Sequence, residues 1–183
     1  MPDTAEDSHC ATCRLSPPAW DAVRAVFRYE FPVDRLIAAF KYHERLALGD
    51  LFGQLLASQA DPFERADRLL AVPLHPTRLR ARGSHQTALL ARICGAALDL
   101  PLDLQGVQRV RDTEMQKGLD RAARQDNLAG AFAWQGGSLA GEHVVVIDDV
   151  MTTGATLAAI TPLLKAAGAV RVSAWVVART PPD

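Results

Sequence analysis

The sequence predicts an α/β fold built on a mainly parallel central sheet flanked by helices. Three observations lead there. Val144-Val145-Val146-Ile147 is a β-branched run, Ala155 to Ala167 reads as a helix, and Val170 to Val177 is strand-like again, so the chain contains a βαβ unit, which requires parallel strands. Leu69 to Leu74 is a second short apolar run of the kind a buried strand makes. Between such runs, apolar residues return at helical spacing, so strands and helices alternate along the chain. A length of 183 residues with 49% hydrophobic and 22% charged residues suits one packed domain rather than a disordered or membrane-embedded chain.

In chain order, residues 1–9 are polar and acidic and read as a frayed start. Residues 22–29 alternate apolar and polar side chains, which predicts a half-buried strand. Pro32 suits a helix start, with Leu36, Ile37 and Phe40 on one face. A second helix is predicted from Leu46 to Ala57, ended by Asp61-Pro62. Within Leu69–Leu74, Pro73 should end strand pairing. Helical spacing resumes from Thr87 to Leu98, with Gly95 its weak point. Residues 111–127 are too polar for a core element and predict a mobile loop leading into a short helix. Gln135-Gly136-Gly137-Ser138 reads as a connection between strands. In the closing βαβ unit, Gly168 takes the position after the helix end, and Pro162 predicts a bend or an irregular first half.

Composition narrows the functional classes. Twenty basic against 21 acidic residues leave a formal net charge of -1, so no global field draws the chain to nucleic acid or membrane, and any anion site must be local. No stretch approaches ~18 consecutive apolar residues, and Asp3, Glu6 and Asp7 are the reverse of a secretory leader, which predicts a cytoplasmic protein without membrane insertion. Three cysteines, Cys10, Cys13 and Cys94, do not make a disulfide framework. Neither a G-x-G-x-x-G nor a G-x-x-x-x-G-K-[ST] motif occurs, which argues against dinucleotide folds and P-loop NTPases.

Ligands of parallel sheets collect at the carboxyl ends of strands, where Asp148-Asp149-Val150-Met151-Thr152-Thr153-Gly154-Ala155-Thr156 is expected. Gly154 permits a positive φ or close backbone approach, the threonines supply hydroxyls, and the following helix directs free N–H groups and its positive dipole end at the loop. That combination suits a phosphate. Two carboxylates beside it would repel a phosphate unless they face ribose hydroxyls or a hydrated Mg²⁺, so phosphate, sugar and metal together are the economical reading. Standing alone, an Asp-Asp pair would more simply cap a helix; the nine-residue constellation after a β-branched strand favours a site. A second local feature is basic: His75 to Leu98 contains Arg78, Arg80, Arg82 and Arg92 and no acidic residue. Following the strand that ends near Leu74, it should lie beside the Thr/Gly loop.

Val146-Ile147-Asp148-Asp149-Val150 through Thr156 resembles the phosphoribosyl pyrophosphate (PRPP) signature of type I phosphoribosyltransferases. Val72-Pro73-Leu74-His75-Pro76, Arg78, Arg82-Gly83, Gln86, Arg111, Thr113, Gln116, Leu119, Arg124, Asn127, Phe132 and Arg179-Thr180 narrow the resemblance to the competence-associated ComF family. Ser84-His85 departs from the Phe-Asn common in that family, and Met151 stands where a smaller residue is frequent. The resemblance implies a type I phosphoribosyltransferase-like fold over residues 19–183, following an acidic start and the remnant of a zinc-ribbon knuckle in residues 1–18.

The resemblance also implies roles. Asp148 and Asp149 would contact ribose and metal-bound water, and Val150, Met151, Thr152, Thr153, Gly154, Ala155 and Thr156 would form the substrate-binding loop around the 5′-phosphate. Arg78 and Arg82 would bind pyrophosphate, and Arg111 would be a contact of a closing lid. Mg²⁺ would enter with PRPP. Cys10 and Cys13 match one knuckle of the family's zinc ribbon, half of a four-ligand site. The activity implied is transfer of a phosphoribosyl group to an unknown acceptor. The competing expectation is a non-catalytic protein that handles single-stranded DNA in competence with a helicase partner, using the basic residues of 109–124 and Tyr42, Phe132 or Trp134 as stacking platforms.

Overall fold

The structure is a computed structural model that describes residues 17–42, 46–60, 65–82, 84–111, 128 and 130–180. Strands are β1 (Ala22–Arg28), β2 (Arg68–Ala71), β3 (Leu102–Asp103), β4 (Val107–Arg109), β5 (Phe132–Trp134), β6 (His143–Met151) and β7 (Arg171–Arg179). Helices are α1 (Val33–Tyr42), α2 (Leu46–Ala57), α3 (Pro76–Arg82), α4 (Gln86–Leu98) and α5 (Ala155–Ala166). Five strands form one sheet in the order β1-β7-β6-β2-β3, and every neighbouring pair is parallel. β4 and β5 form a separate antiparallel pair. A mainly parallel sheet flanked by helices is therefore what the chain builds.

The two central strands explain why the sequence reads as continuous apolar runs there. Val144 and Val146 of β6 join Val172, Ala174 and Val176 of β7 in a cluster with Leu157, Ile160 and Leu164 of α5. Val145 and Ile147 face the other way, with Trp175 and Val177, into a cluster with Ile37 and Phe40 of α1, Phe52 and Leu56 of α2, and Leu90 and Cys94 of α4. Strands covered on both faces have no solvent side on which to place polar residues. Each fully buried Leu, Ile or Val contributes about 1.5–3 kcal/mol, so these two clusters are the main stabilising force. Gly49 and Gly53 bring α2 against α4: a Cβ on either would lie 2.6 Å from Leu89 or Ile93.

Several expectations are met closely. α2 has the expected limits, Val72 makes one more bond to Ile147 O beyond β2 before Pro73 ends pairing, and Gly168 follows α5 with φ +108°. Others need correction. Leu36 is 39% exposed while Ile37 and Phe40 are buried, so the apolar face of α1 is narrower than its spacing suggested. α5 continues through Pro162 without interruption. β6 runs four residues beyond Ile147 because β7 extends alongside it, pairing Asp148 with Val176, Val150 with Ala178 and Met151 with Arg179. The acidic pair thus belongs to the strand itself. The expected loop at 112–127 lies outside the described residues.

The amino-terminal edge of the sheet is closed by mutually satisfied polar groups. Arg68 donates from Nε and Nη2 to the two carboxylate oxygens of Glu142 at 2.6 and 2.8 Å, and His143 N–H donates to Asp67 Oδ2 at 2.8 Å. The hydrogen bond from Arg68 holds the Glu142 carboxyl below the ordinary carboxylate range. A carboxyl lowered in the folded state adds stability above its unfolded pKa and loses it as pH falls through the folded value. Glu142→Gln should therefore cost about 0.5–1 kcal/mol at pH 7 and nearly nothing at pH 3, read from urea unfolding at both pH values. An equal cost at both would show that the ion pair is not the cause.

Candidate functional site

The opposite edge is open. A cleft at the carboxyl ends of β2, β6 and β7 is lined by Val72, Asp148, Val150, Met151 and Thr152–Leu157, with Val146, Ala174 and Val176 below. The whole Thr/Gly loop lies in it. Gly154 is the residue before α5 and adopts φ +78°, the left-handed conformation that favours glycine. A Cβ there would also lie 2.6 Å from the ring of Trp20 and 2.8 Å from Met151 Cε, so Trp20 backs the loop from behind. No side chain caps α5 from Gly154; Ala155 N–H reaches Thr153 Oγ1 only at 3.4 Å. The first-turn N–H groups and positive dipole end of a 12-residue helix therefore face the cleft, an arrangement suited to an anion.

The acidic pair divides between two environments. Successive strand residues point to opposite faces, so Asp148 lines the cleft while Asp149 reaches Lys41 of α1, on the side of the second cluster. Lys41 Nζ lies 2.9 Å from Asp149 Oδ2, with the two side chains 21% and 13% exposed. Asp148 Oδ1 accepts the Asp149 N–H at 2.8 Å. Burial, followed by repulsion from Asp149, pushes the Asp148 carboxyl up to about 7; the Asp149 N–H and the charges of Lys41 and Arg109 oppose that rise. Arg109, on β4, sets its guanidinium 5.6 Å over the Phe132 ring. A carboxylate whose ionised form is disfavoured, at the mouth of a cleft, has the character of a functional group.

The β2 rim of the cleft is fixed by the segment after α3. Thr87 Oγ1 donates to Val72 O at 2.7 Å, and His85 Nε2 lies 3.1 Å from the same oxygen. Burial lowers the His85 pKa, which favours the neutral ring, and a proton on Nε2 would let it donate to that carbonyl. His85 thus anchors the rim. Gln86 Nε2 donates to Lys41 O at 3.3 Å, filling one of the carbonyls left free in the last turn of α1.

α3 places the backbone of Arg78 and Arg82 just past β2, on the strand next to β6; their side chains lie outside the described residues. Arg111 is exposed, two residues beyond β4. Cys10 and Cys13 also fall outside the described residues. Cys94 is fully buried and its thiol is pushed up to about 12 by burial, consistent with an inert packing residue. Phe132 is buried in the core, Trp134 is half-buried and donates from Nε1 to Gly137 O while packing against Gly106 and Gly136, and the Tyr42 side chain lies outside the described residues. The residue that sequence reading missed is Lys41, for which nothing local gives a signal; only the tertiary fold brings α1 to β6.

A model of the phosphoribosyl transferase domain family matches residues 87–182, which contain β6, the Thr/Gly loop, α5 and β7. The DNA utilization protein YhgH of Shigella flexneri is 33% identical, over 98% of this chain and 82% of its own. The chain belongs to the phosphoribosyltransferase family, in its competence protein branch. Competence protein F of Haemophilus influenzae is 31% identical over 93% of this chain and 78% of its own length. Among solved structures, a glutamine PRPP amidotransferase from B. subtilis is 22% identical with a TM-score of 0.48, covering 70% of this chain; this chain spans only 25% of that one. In this family member, no helix of the described residues is long and apolar enough to cross a membrane.

Among the described residues, no three His, Cys, Asp or Glu side chains converge on a common point. The carboxylate that the cleft presents toward a hard cation is that of Asp148; Asp149 lies on the other face of β6, paired with Lys41. Mg²⁺ is commonly held by one or two carboxylates together with substrate phosphates and waters, and Asp148 fits that partial role.

Proposed function

We propose that the cleft binds PRPP, or a closely related phosphorylated ribose, together with Mg²⁺. The single observation behind this reading is the uncapped amino end of α5 at a left-handed Gly154, beside the Asp148 carboxyl. The loop Thr152–Thr156 takes the 5′-phosphate, Asp148 faces ribose hydroxyls and metal-bound water with Asp149 behind it on the other face of β6, and the basic segment bearing Arg78 and Arg82, with Arg111, meets the pyrophosphate. When bound, Mg²⁺ shares the charge of the pyrophosphate oxygens. Transfer, where it occurs, breaks the bond from C1′ to the pyrophosphate oxygen, which leaves with the electron pair, and forms a bond from C1′ to the acceptor. The chain's part is electrostatic: arginines stabilise the leaving group and Asp148 orients the sugar.

Calorimetry of PRPP with Mg²⁺ tests this directly. One saturable site is expected in the wild type, and Asp149→Asn should abolish pyrophosphate release from PRPP supplied with a panel of bases. Absence of binding heat at saturating PRPP would sink the reading.

The relatives' names, DNA utilization and competence, favour a second reading, in which the protein handles single-stranded DNA with a helicase partner. Binding of an oligonucleotide that weakens steeply with salt, without turnover on any base, supports it. The sugar-phosphate reading leads because the uncapped end of α5 and the Asp148 carboxyl share one cleft, whereas Phe132 is buried in the core.

A further inference from the structure

The Thr/Gly loop is braced from outside the cleft by two residues that precede β1. Asp21 N–H donates to Val172 O at 2.8 Å, and Asp21 Oδ2 accepts the Val172 N–H at 2.7 Å, so this residue is locked to the start of β7. The same Oδ2 lies 2.8 Å from Nζ of Lys165, in the last turn of α5, and that ammonium also donates to Val170 O. Its neighbour Trp20 packs half-buried against the cluster that contains Leu157, Ile160 and Leu164 of α5. The edge of the indole ends at Gly154, where Cη2 and Cζ2 occupy the space that a side chain would need. One dipeptide therefore touches both ends of a 12-residue helix about 18 Å long.

We propose that Trp20 and Asp21 form a brace that sets the axial position of α5 and thereby aims the N–H groups of its first turn at the ligand phosphate. This rests on the reading of the cleft as a sugar-phosphate site. A phosphate on a helix end is held by several N–H groups at once, each needing a separation of about 2.7–3.2 Å, so a helix that slides along its axis loses contacts together. No side chain caps α5, and Gly154 has none of its own to steady the turn. The indole supplies that backing. Trp20 is thus a positioning residue that acts through Gly154, and Asp21 acts through Trp20 by tying its backbone to β7 and to the far end of the same helix.

The test measures PRPP affinity, with Mg²⁺, by calorimetry on the full chain, and the environment of Trp20 by fluorine NMR after labelling with 5-fluorotryptophan. Trp20→Phe identifies the Trp20 resonance beside those of Trp134 and Trp175. PRPP should shift the Trp20 resonance of the wild type and leave that of Trp175, on the other face of the sheet, in place. Trp20→Ala should bind PRPP about tenfold more weakly, and Trp20→Phe should recover most of that loss. Asp21→Asn keeps an oxygen for the Val172 N–H and removes the charge facing Lys165. It should weaken binding about threefold, within the range of a surface ion pair, and move the Trp20 resonance of the unliganded protein. Lys165→Met should do the same. Added to Trp20→Ala, Asp21→Asn should cost no further affinity, because its effect passes through the indole. A merely structural role predicts lower unfolding midpoints with unchanged affinity wherever the variants are folded. Should Trp20→Ala fail to fold, Trp20→Leu carries the same measurement. Wild-type affinity in Trp20→Ala, or an additive loss in the double variant, overturns the proposal. Failure of the wild type to bind PRPP would instead refute the function proposed above, so the two failures are distinguishable.

Discussion

Gly154→Ala should lose binding of PRPP and of ribose 5-phosphate, and the protein should unfold at lower denaturant. Two independent causes act at this position. A non-glycine residue at φ +78° costs about 1–2 kcal/mol, and the new methyl group would lie 2.6 Å from the Trp20 ring, forcing that side chain off the back of the loop. Together they should lower stability by about 2–3 kcal/mol, the range of a strained backbone with overpacking. Binding suffers more than stability alone implies. The N–H groups of α5 are aimed by this turn, and a displaced donor set loses its anion contact. A loss of about thirtyfold or more in affinity is expected, equivalent to about 2 kcal/mol. Trp20→Ala separates the causes: combined with Gly154→Ala it should restore part of the stability, leaving the φ penalty. Unchanged binding in Gly154→Ala would show that the loop does not hold the phosphate.

Asp148→Asn should make the unliganded protein more stable while abolishing ligand binding. The Asp148 carboxyl is raised from 3.8 to about 7 by burial and then by Asp149. A carboxyl with a raised folded-state pKa holds its proton more tightly when folded, so stability falls as pH rises from about 4 to about 7 and stays level above that. Asparagine removes this slope and keeps the oxygen that accepts the Asp149 N–H. The gain over wild type should be near zero at pH 4 and reach about 2–4 kcal/mol at pH 8, measured by urea unfolding without divalent cation. A flat difference across pH would mean that the carboxyl is not under this strain. A residue whose removal stabilises the empty protein yet destroys ligand binding is kept for the ligand.

Much of this was legible from residues alone, for identifiable reasons. The apolar faces of α2, α4 and α5 are long enough for their periodicity to survive local noise, and Gly168 marks the end of α5 because a left-handed position there needs glycine. β6 was underestimated because aspartate is a poor strand residue, and it is the ladder with β7, not local preference, that carries the strand to Met151. β3, β4 and β5 have two or three residues each, too few for any alternation to register. α3 was not anticipated, because it has no apolar period; Pro76 at its first position is a helix-start cue that the sequence reading did not use. At the site, the Thr/Gly loop could be read because its chemistry is contiguous. The separation of Asp148 from Asp149 and the arrival of Lys41 could not, since both follow from which strand lies beside which.

The sheet order also shapes how the protein comes into being. β1 pairs with β7 alone, and about 150 residues of chain intervene between Ala22 and its partner Ser173. During synthesis β1 must wait for β7, its partner among the described strands, until the chain between them has been translated. Pairing over such a span makes for slow closure and a long window in which an unsatisfied strand can meet another chain. β1 is therefore among the last of the described strands to find its place in the sheet.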